Sequence, residues 1–424
     1  MSDKLKDQEA AADPAPELIV LERAIALAQK QVSPIPDGEN ISLDNALGRV
    51  SGARVLAPEA MPFFDNSAMD GFALCVADLA DTDTLPVAGT VAAGAAAGEL
   101  APGAATRIYT GAPLPLGADA VVKSEDCTDM GDTVRVHARP KPDANIRRKG
   151  SDQPKGASLL NPGQVIAPRH VGLLAANGVT DLKVTRTPRV GIFSTGDELT
   201  GGPHAQGAIF DANRPMLMAL CRAAGVDVTD LGVLPDDLEA TTQAFERLGD
   251  QFDLVFTSGA VSIGGRDHVR AALMAAGGTL DGWRVAIKPG KPIAFGRIGK
   301  TVLTCLPGNP FAAFVGFHLF ARPQIAVLSG ATPESFAMRR AKAGFDWTRR
   351  PGRAEVFPVC VADHDEQGTP ILERLGNSVS ATLFPMVEAD GLAIVSASSA
   401  TVAPGDSLRW QRFTGAVENA SKST

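Results

Sequence analysis

The stretch P-R-V-G-I-F-S-T-G-D-E-L (Pro188–Leu199) decides the fold. Arg189–Thr195 is an apolar run suited to a strand covered on both faces, and it breaks abruptly into a polar, glycine-bearing turn. Outward from it the chain alternates. The pattern predicts a helix over Arg214–Ala224, a strand over Val226–Leu231, a helix over Asp236–Leu248, a strand over Asp253–Thr257 and a helix near Asp267–Ala276. Further apolar runs follow at Val285–Ile287, Pro292–Phe295 and Val302–Leu306, and a helix over Pro310–Leu328 closes the unit. Strands alternating with helices predict a parallel, doubly wound α/β sheet.

The flanks read differently. Residues 1–16 lack apolar periodicity and are expected to be disordered. Leu18, Leu21, Ile25 and Ala28 recur at helical spacing and predict an amphipathic helix that stops before Pro34. Ser42–Leu47 reads as a second helical piece, with Ser42 as N-cap and Gly48 as stop. Between Ala53 and Arg148, Gly and Pro punctuate short apolar runs, the signature of a small β-rich domain. Residues 150–187 carry an extended stretch and a helix over Pro168–Ala176 ended by Asn177-Gly178. From Ala331 the elements are short again, predicting a second β-rich domain. The resulting class is multidomain α/β plus β. The expected division is a discontinuous linker domain (17–35 and 147–187), a β-rich domain (54–146), the α/β domain (36–53 and 188–330), a C-terminal β-rich domain (331–414) and a flexible tail (415–424).

Composition narrows the function. The 424 residues carry 40 Lys+Arg against 48 Asp+Glu, a net charge of −8. That balance disfavours a general nucleic-acid binder, which needs a basic face. No stretch reaches the roughly 18 unbroken apolar residues of a membrane span, and the N-terminus lacks the apolar core of a secretory signal. Cys75, Cys127, Cys221, Cys305 and Cys360 are scattered, and the six histidines form no metal-binding pattern. A cytoplasmic protein is expected.

In an open α/β sheet, ligands bind beyond the carboxyl ends of the strands. Four polar or glycine-rich turns leave those ends here: Ser194–Leu199, Thr257–Asp267, Lys288–Pro292 (K-P-G-K-P) and Pro307–Pro310 (P-G-N-P). In the second, T-S-G-A-V-S-I-G-G-R-D, small residues around Ser258, Gly259, Ser262 and Gly264 let backbone N–H groups approach a phosphate ahead of a helix N-terminus. Lys288 and Lys291 sit three apart in a stiffened loop suited to a doubly charged oxyanion; a pair of solvated lysines is the alternative. Asp197, Glu198, Asp236, Asp237 and Asp267 follow the strands, where carboxylates beside a phosphate hold Mg²⁺, although Asp236 and Asp267 also read as helix N-caps. In the β-rich domain, F-D-N-S-A-M-D-G-F-A (Phe64–Ala73) and R-I-Y-T-G-A-P (Arg107–Pro113) are explained locally by turn chemistry. G-R-I-G-K-T (Gly296–Thr301) mimics the end of a phosphate-binding loop, but a strand follows it, so Gly299-Lys300 is read as a hairpin turn.

Taken in order, F-D-N-S-A-M-D-G-F-A, R-I-Y-T-G-A-P, S-T-G-D-E-L, S-G-A-V-S-I-G, I-K-P-G-K-P-I-A-F-G and L-P-G-N-P resemble the MoeA family of molybdopterin molybdenumtransferases, to which the E domain of gephyrin is related. The resemblance spans about Glu17 to Phe413. It implies an elongated homodimer with a molybdenum-cofactor-binding fold at 188–330. The implied reaction joins molybdate to adenylated molybdopterin with Mg²⁺ and releases AMP. Asp70 and Thr110 match positions that complete the cleft from the partner subunit. Glu198, Asp236 or Asp237, and Asp267 match acidic positions tied to Mg²⁺; Lys288 and Lys291 match oxyanion-binding lysines. Ser258, Gly259, Ser262, Gly264, Pro307, Gly308 and Asn309 would hold the cofactor precursor. Arg353 within G-R-A-E, and Ser378 or Ser380 within G-N-S-V-S, resemble residues that reach the molybdate pocket. Departures are Ala260 where many members have Gly, Gly265 where they have Glu, and His268 where an aromatic is common. Implied partners are a molybdopterin adenylyltransferase and apo molybdoenzymes. Rival readings are the adenylyltransferase itself, which the flanking domains disfavour, and a non-catalytic scaffold, which the intact Lys288, Lys291, Glu198 and Asp267 disfavour.

Overall fold

The computed structural model describes residues 18–199, 207–259, 268–376 and 381–413. The central unit is a six-stranded sheet of β1 (Arg189–Thr195), β2 (Asp227–Leu234), β3 (Leu254–Ser258), β4 (Thr279–Arg284), β5 (Pro292–Ile298) and β6 (Thr301–Leu306), in the order β2-β1-β3-β6-β5-β4. β2, β1, β3 and β6 run parallel, and β5 and β4 run antiparallel to their neighbours. The sheet is therefore mixed rather than wholly parallel. The reversal comes from the two-residue Gly299-Lys300 turn, with Gly299 at φ +55°. Buried β1, β3 and β6 read as continuous apolar runs because both faces are covered.

Helices over Asn213–Ala223, Leu238–Glu246 and His268–Ala275 alternate with the strands. One apolar layer packs Leu217, Cys221 and the helix at Phe311–Leu328 against one face; another packs Phe245, Val269 and Leu273 against the other. The 310–328 helix is long and apolar enough to cross a membrane by composition, yet 72% of its most apolar window is buried in this core. It contains a π-turn at Phe317–Ala321.

The flanks correct two expected assignments. The N-terminal helix, Leu21–Lys30, buries Leu21, Ala24 and Ala28 in the core of the central unit rather than in the linker domain. Segment 36–53 belongs with the linker: Gly38–Ser42 pairs antiparallel with Asp181–Thr185, and Leu43 and Ala46 pack on Leu160, Leu174 and Val184. An amphipathic stripe records that a face is buried, not which domain covers it. Ser42–Leu47 forms only a short 3₁₀ turn, Leu43–Asn45. The linker helix runs over Pro168–Ala176 as read from the sequence.

The first β-rich domain is a six-stranded sheet that includes Gly71–Leu74, Ala105–Ile108 and Ala120–Lys123. In the second, Ala354–His364 pairs with both Pro370–Arg374 and Gly391–Val395, closing a small barrel around Phe357, Val359 and Trp410. Ile287–Lys288 leaves the central unit to pair in parallel with Ala354–Glu355. That pairing joins the K-P-G-K-P loop to the barrel.

Candidate active site

Three strand ends meet at the carboxyl edge of the parallel strands. Gly259 has φ +107°, and a Cβ there would collide with Thr195 Oγ1 and lie 2.8 Å from Thr195 O, so only glycine fits. A Cβ built on Gly308 would stand 3.3 Å from Gly259 Cα, a tight but less severe approach. Asn213 at the start of its helix ties the edge together: its Nδ2 donates to Ser258 Oγ (2.7 Å) and to Gly308 O (2.6 Å), while its buried Oδ1 has no hydrogen-bond partner among the described residues. The Ser258 hydroxyl donates to Pro307 O (3.4 Å). Ser258, Gly259, Pro307 and Gly308 therefore come together in one cradle, with Asn309 at the N-cap position of the next helix. Asn213 was missed by the motif reading because a lone Asn at a helix start reads as a cap.

The K-P-G-K-P loop lies beside this cradle: a Cβ on Gly290 would touch Pro307 Cγ (3.8 Å) and Ala312 O (3.7 Å). Where the loop meets the barrel, Lys288, Trp347, Thr348, Arg349, Arg350, Arg353, Glu355 and Arg374 line a chamber of about 420 Å³. Lys288 Nζ stands 2.8 Å from Glu355 Oε1, and Arg349 Nε donates to Glu355 Oε2 (3.3 Å). Arg349 is buried and also donates to the carbonyls of Ser396, Ser399 and Arg353. Arg374 stacks its guanidinium 4.0 Å over the Trp347 ring, and burial pulls its pKa down against the opposing pull of Glu355. Five cations, Lys288, Arg349, Arg350, Arg353 and Arg374, thus line a space with one acid, Glu355, which Lys288 and Arg349 pair. Of the two expected lysines only Lys288 lines this chamber; Lys291 lies three residues on, its carbonyl accepting from Val285 N–H (2.8 Å). Arg349, Arg350, Arg374 and Glu355 were not singled out from sequence. The run W-T-R-R-P-G-R (Trp347–Arg353), three guanidiniums in seven residues, was the available signal.

Of the expected carboxylates, those described are engaged locally. Asp237, not Asp236, is the N-cap of Leu238–Glu246, its Oδ1 accepting from Ala240 N–H (2.8 Å). Asp236 donates its backbone N–H to Asp197 Oδ1 (3.0 Å). The Glu198 carboxylate folds back over Gly196, where any Cβ would collide with it. Among the described residues no group of three acids, histidines or cysteines is placed to hold a metal. The described carboxylates by themselves do not make up a Mg²⁺ site. Asp267, Ser262, Gly264, Ser378 and Ser380 lie outside the described residues, as do Ala260 and Gly265; His268 opens the helix His268–Ala275.

In the first β-rich domain, Asp70 Oδ1 accepts from both the Thr110 N–H (2.7 Å) and the Thr110 hydroxyl (2.8 Å). These hydrogen bonds, the backbone one foremost, hold the exposed Asp70 carboxyl below its usual range, so it is ionised at neutral pH. Met69, Tyr109, Phe63 and Phe64 are exposed on the same loops. Asp65 braces the turn by accepting from Lys149 N–H (2.7 Å) and pairing with Arg148. Asp70 and Thr110 are thus brought together on an open surface of a domain separate from the cradle.

Comparison with known proteins follows this architecture along its length. Residues 19–178 match the MoeA N-terminal region (domains I and II), 191–327 a probable molybdopterin binding domain, and 340–413 the MoeA C-terminal region (domain IV). The molybdopterin molybdenumtransferase of Haemophilus influenzae is 35% identical over 404 residues, covering 93% of this chain and 99% of that protein. Molybdopterin molybdenumtransferase 2 of Mycobacterium tuberculosis is 35% identical over 402 residues, covering 92% and 97%. The crystal structure of the molybdopterin biosynthesis MoeA protein from Pyrococcus horikoshii OT3 superposes with a TM-score of 0.79 at 27% identity, covering 94% of this chain and 100% of that one. With all three regions matched in order and full-length relatives at this identity, the chain belongs to the MoeA family of molybdopterin molybdenumtransferases.

Proposed function

We infer that this chain is a transferase of molybdenum cofactor biosynthesis that inserts molybdenum into molybdopterin. The observation that carries the reading is the cationic chamber beside a glycine-built cradle. Molybdate is a compact dianion, and leaving water costs it most of its solvation unless fixed positive charge replaces it. Lys288, Arg350, Arg353 and Arg374 supply that charge. The cradle at Ser258, Gly259, Gly308 and Asn213 gives the organic substrate a close backbone approach beside a side-chain amide whose Oδ1 is unpartnered among the described residues.

In the finer reading, the organic substrate is adenylated molybdopterin and AMP leaves as molybdenum is inserted. The dithiolene sulfurs come from the pterin, so no cysteine of this chain takes part; Cys221, for one, is buried and its thiol is pushed up to about 12. The ionised Asp70, with Thr110, faces the cleft of a second subunit in a cytoplasmic homodimer, where it orients substrate donors rather than donating a proton. Any Mg²⁺ enters with the phosphoanhydride. The test is to supply the purified protein with adenylated molybdopterin, Mg²⁺ and molybdate. Molybdate-dependent AMP release together with reconstitution of an apo molybdoenzyme supports the reading; absence of both refutes it.

A further inference from the structure

We propose that Glu355 is a built-in competitor for the oxyanion: it holds Lys288 in reserve and keeps anion binding in the chamber weak enough for the metal oxide to be handed on. The inference rests on reading the chamber as the molybdate site.

The geometry begins in the backbone. Lys288 and Glu355 are register partners in the parallel pairing between Ile287–Lys288 and the first barrel strand, so their side chains are neighbours by construction rather than by flexible reach. The carboxylate side chain is 4% exposed and the lysine side chain 43%. Oε2 faces the Nε of Arg349, which is itself fixed by donating three more N–H groups to carbonyls, so the carboxylate is anchored from behind. Oε1 has the Lys288 ammonium at 2.8 Å and no other partner among the described residues. Of this pair, only the lysine is free to turn toward the chamber.

An arriving dianion meets Arg350, Arg353 and Arg374, and it gains the fourth cation only by drawing Lys288 away from a fixed negative charge. That charge also repels the anion itself. Both effects weaken binding without altering the shape of the site. A chamber with its cations unopposed would bind a dianion tightly and release it slowly, and uniform tight binding does not accelerate transfer.

The test is calorimetric titration with sodium molybdate of the wild type, Glu355→Gln, Glu355→Asp, Lys288→Ala and the Lys288→Ala/Glu355→Gln double variant, each confirmed folded by circular dichroism. Removing one like charge within a partly solvated site makes Glu355→Gln bind molybdate about tenfold more tightly, and turnover of adenylated molybdopterin falls at saturating molybdate. Glu355→Asp keeps the charge but withdraws it, and tightens binding by about two- to threefold. Lys288→Ala costs more affinity in the Glu355→Gln background than in the wild type. Should Glu355→Gln not fold, the Glu355→Asp result decides alone. Unchanged or weaker binding in the folded Glu355 variants, with Lys288→Ala still harmful in the wild type, overturns the inference and leaves the oxyanion site standing. If Lys288→Ala leaves wild-type binding unchanged, the oxyanion reading of the chamber itself is what fails.

Discussion

His318 makes acid lability a quantitative prediction. It sits at the π-turn of the 310–328 helix with its ring 4.7 Å from Phe314, 5.7 Å from Phe317 and stacked 6.1 Å from Phe413. Among the described residues neither ring nitrogen has a hydrogen-bond partner to offset the cost of charging it. Burial, with the nearby Arg322 charge adding to it, pushes its pKa down from 6.5 to about 4. The unfolded chain takes up this proton near pH 6.5 and the folded chain refuses it until about pH 4. Between those values the unfolded state binds more protons, so stability falls as the solution is acidified. The shift corresponds to about 3 kcal/mol lost across that window. Urea unfolding followed by circular dichroism at steps from pH 7.5 to pH 4.5 reads the slope. His318→Phe keeps the aromatic packing and removes the proton site, so it is expected to recover most of that loss while changing neutral-pH stability little. A variant whose pH slope matches the wild type would refute the reasoning.

Further predictions follow from the same geometry. Asp253 is half-buried, which raises its pKa, but the paired bonds from Arg186 (2.9 Å each) and the Arg189 N–H (2.7 Å) outweigh burial and lower it. Asp253→Asn is expected to cost about 1–3 kcal/mol at neutral pH in a denaturant titration. That contribution, present above the ordinary carboxylate range, disappears as pH falls through the lowered folded-state value. Gly259→Ala places a methyl group against Thr195 in left-handed backbone, and is expected to abolish cofactor formation while costing about 1–3 kcal/mol of stability. Under the proposed shared-cleft dimer, mixing Asp70→Ala and Lys288→Ala proteins, each expected to be inactive, under conditions of subunit exchange is expected to restore part of the activity, since a mixed dimer would have one cleft with neither lesion; no restoration at any ratio would place both residues in the same subunit's site.

The central sheet was legible because β1, β3 and β6 are covered on both faces and therefore read as unbroken apolar runs. Their period says nothing of direction, which is why the reversed β5 was absorbed into a parallel reading even with the Gly299-Lys300 hairpin recognised; β4 was not read as a strand. Gly259 and Gly308 were legible as glycines without side chains to accommodate, but the partner that demands each, Thr195 or the other glycine, comes from a different strand. The choice between Asp236 and Asp237 as cap turned on a single residue of helix phase, below what periodicity resolves. Glu355 was least legible. Its significance comes from strand register with a segment 67 positions earlier, set by closure of the barrel rather than by any local pattern.

The most direct measurement of the central claim is anomalous scattering at the molybdenum edge from crystals of the protein soaked in molybdate. The account predicts a peak in the chamber between Lys288, Arg353 and Arg374, beside the Gly259–Gly308 cradle, and its disappearance in Lys288→Ala crystals. A molybdenum peak elsewhere on the molecule, with the chamber empty at saturating molybdate, would contradict it.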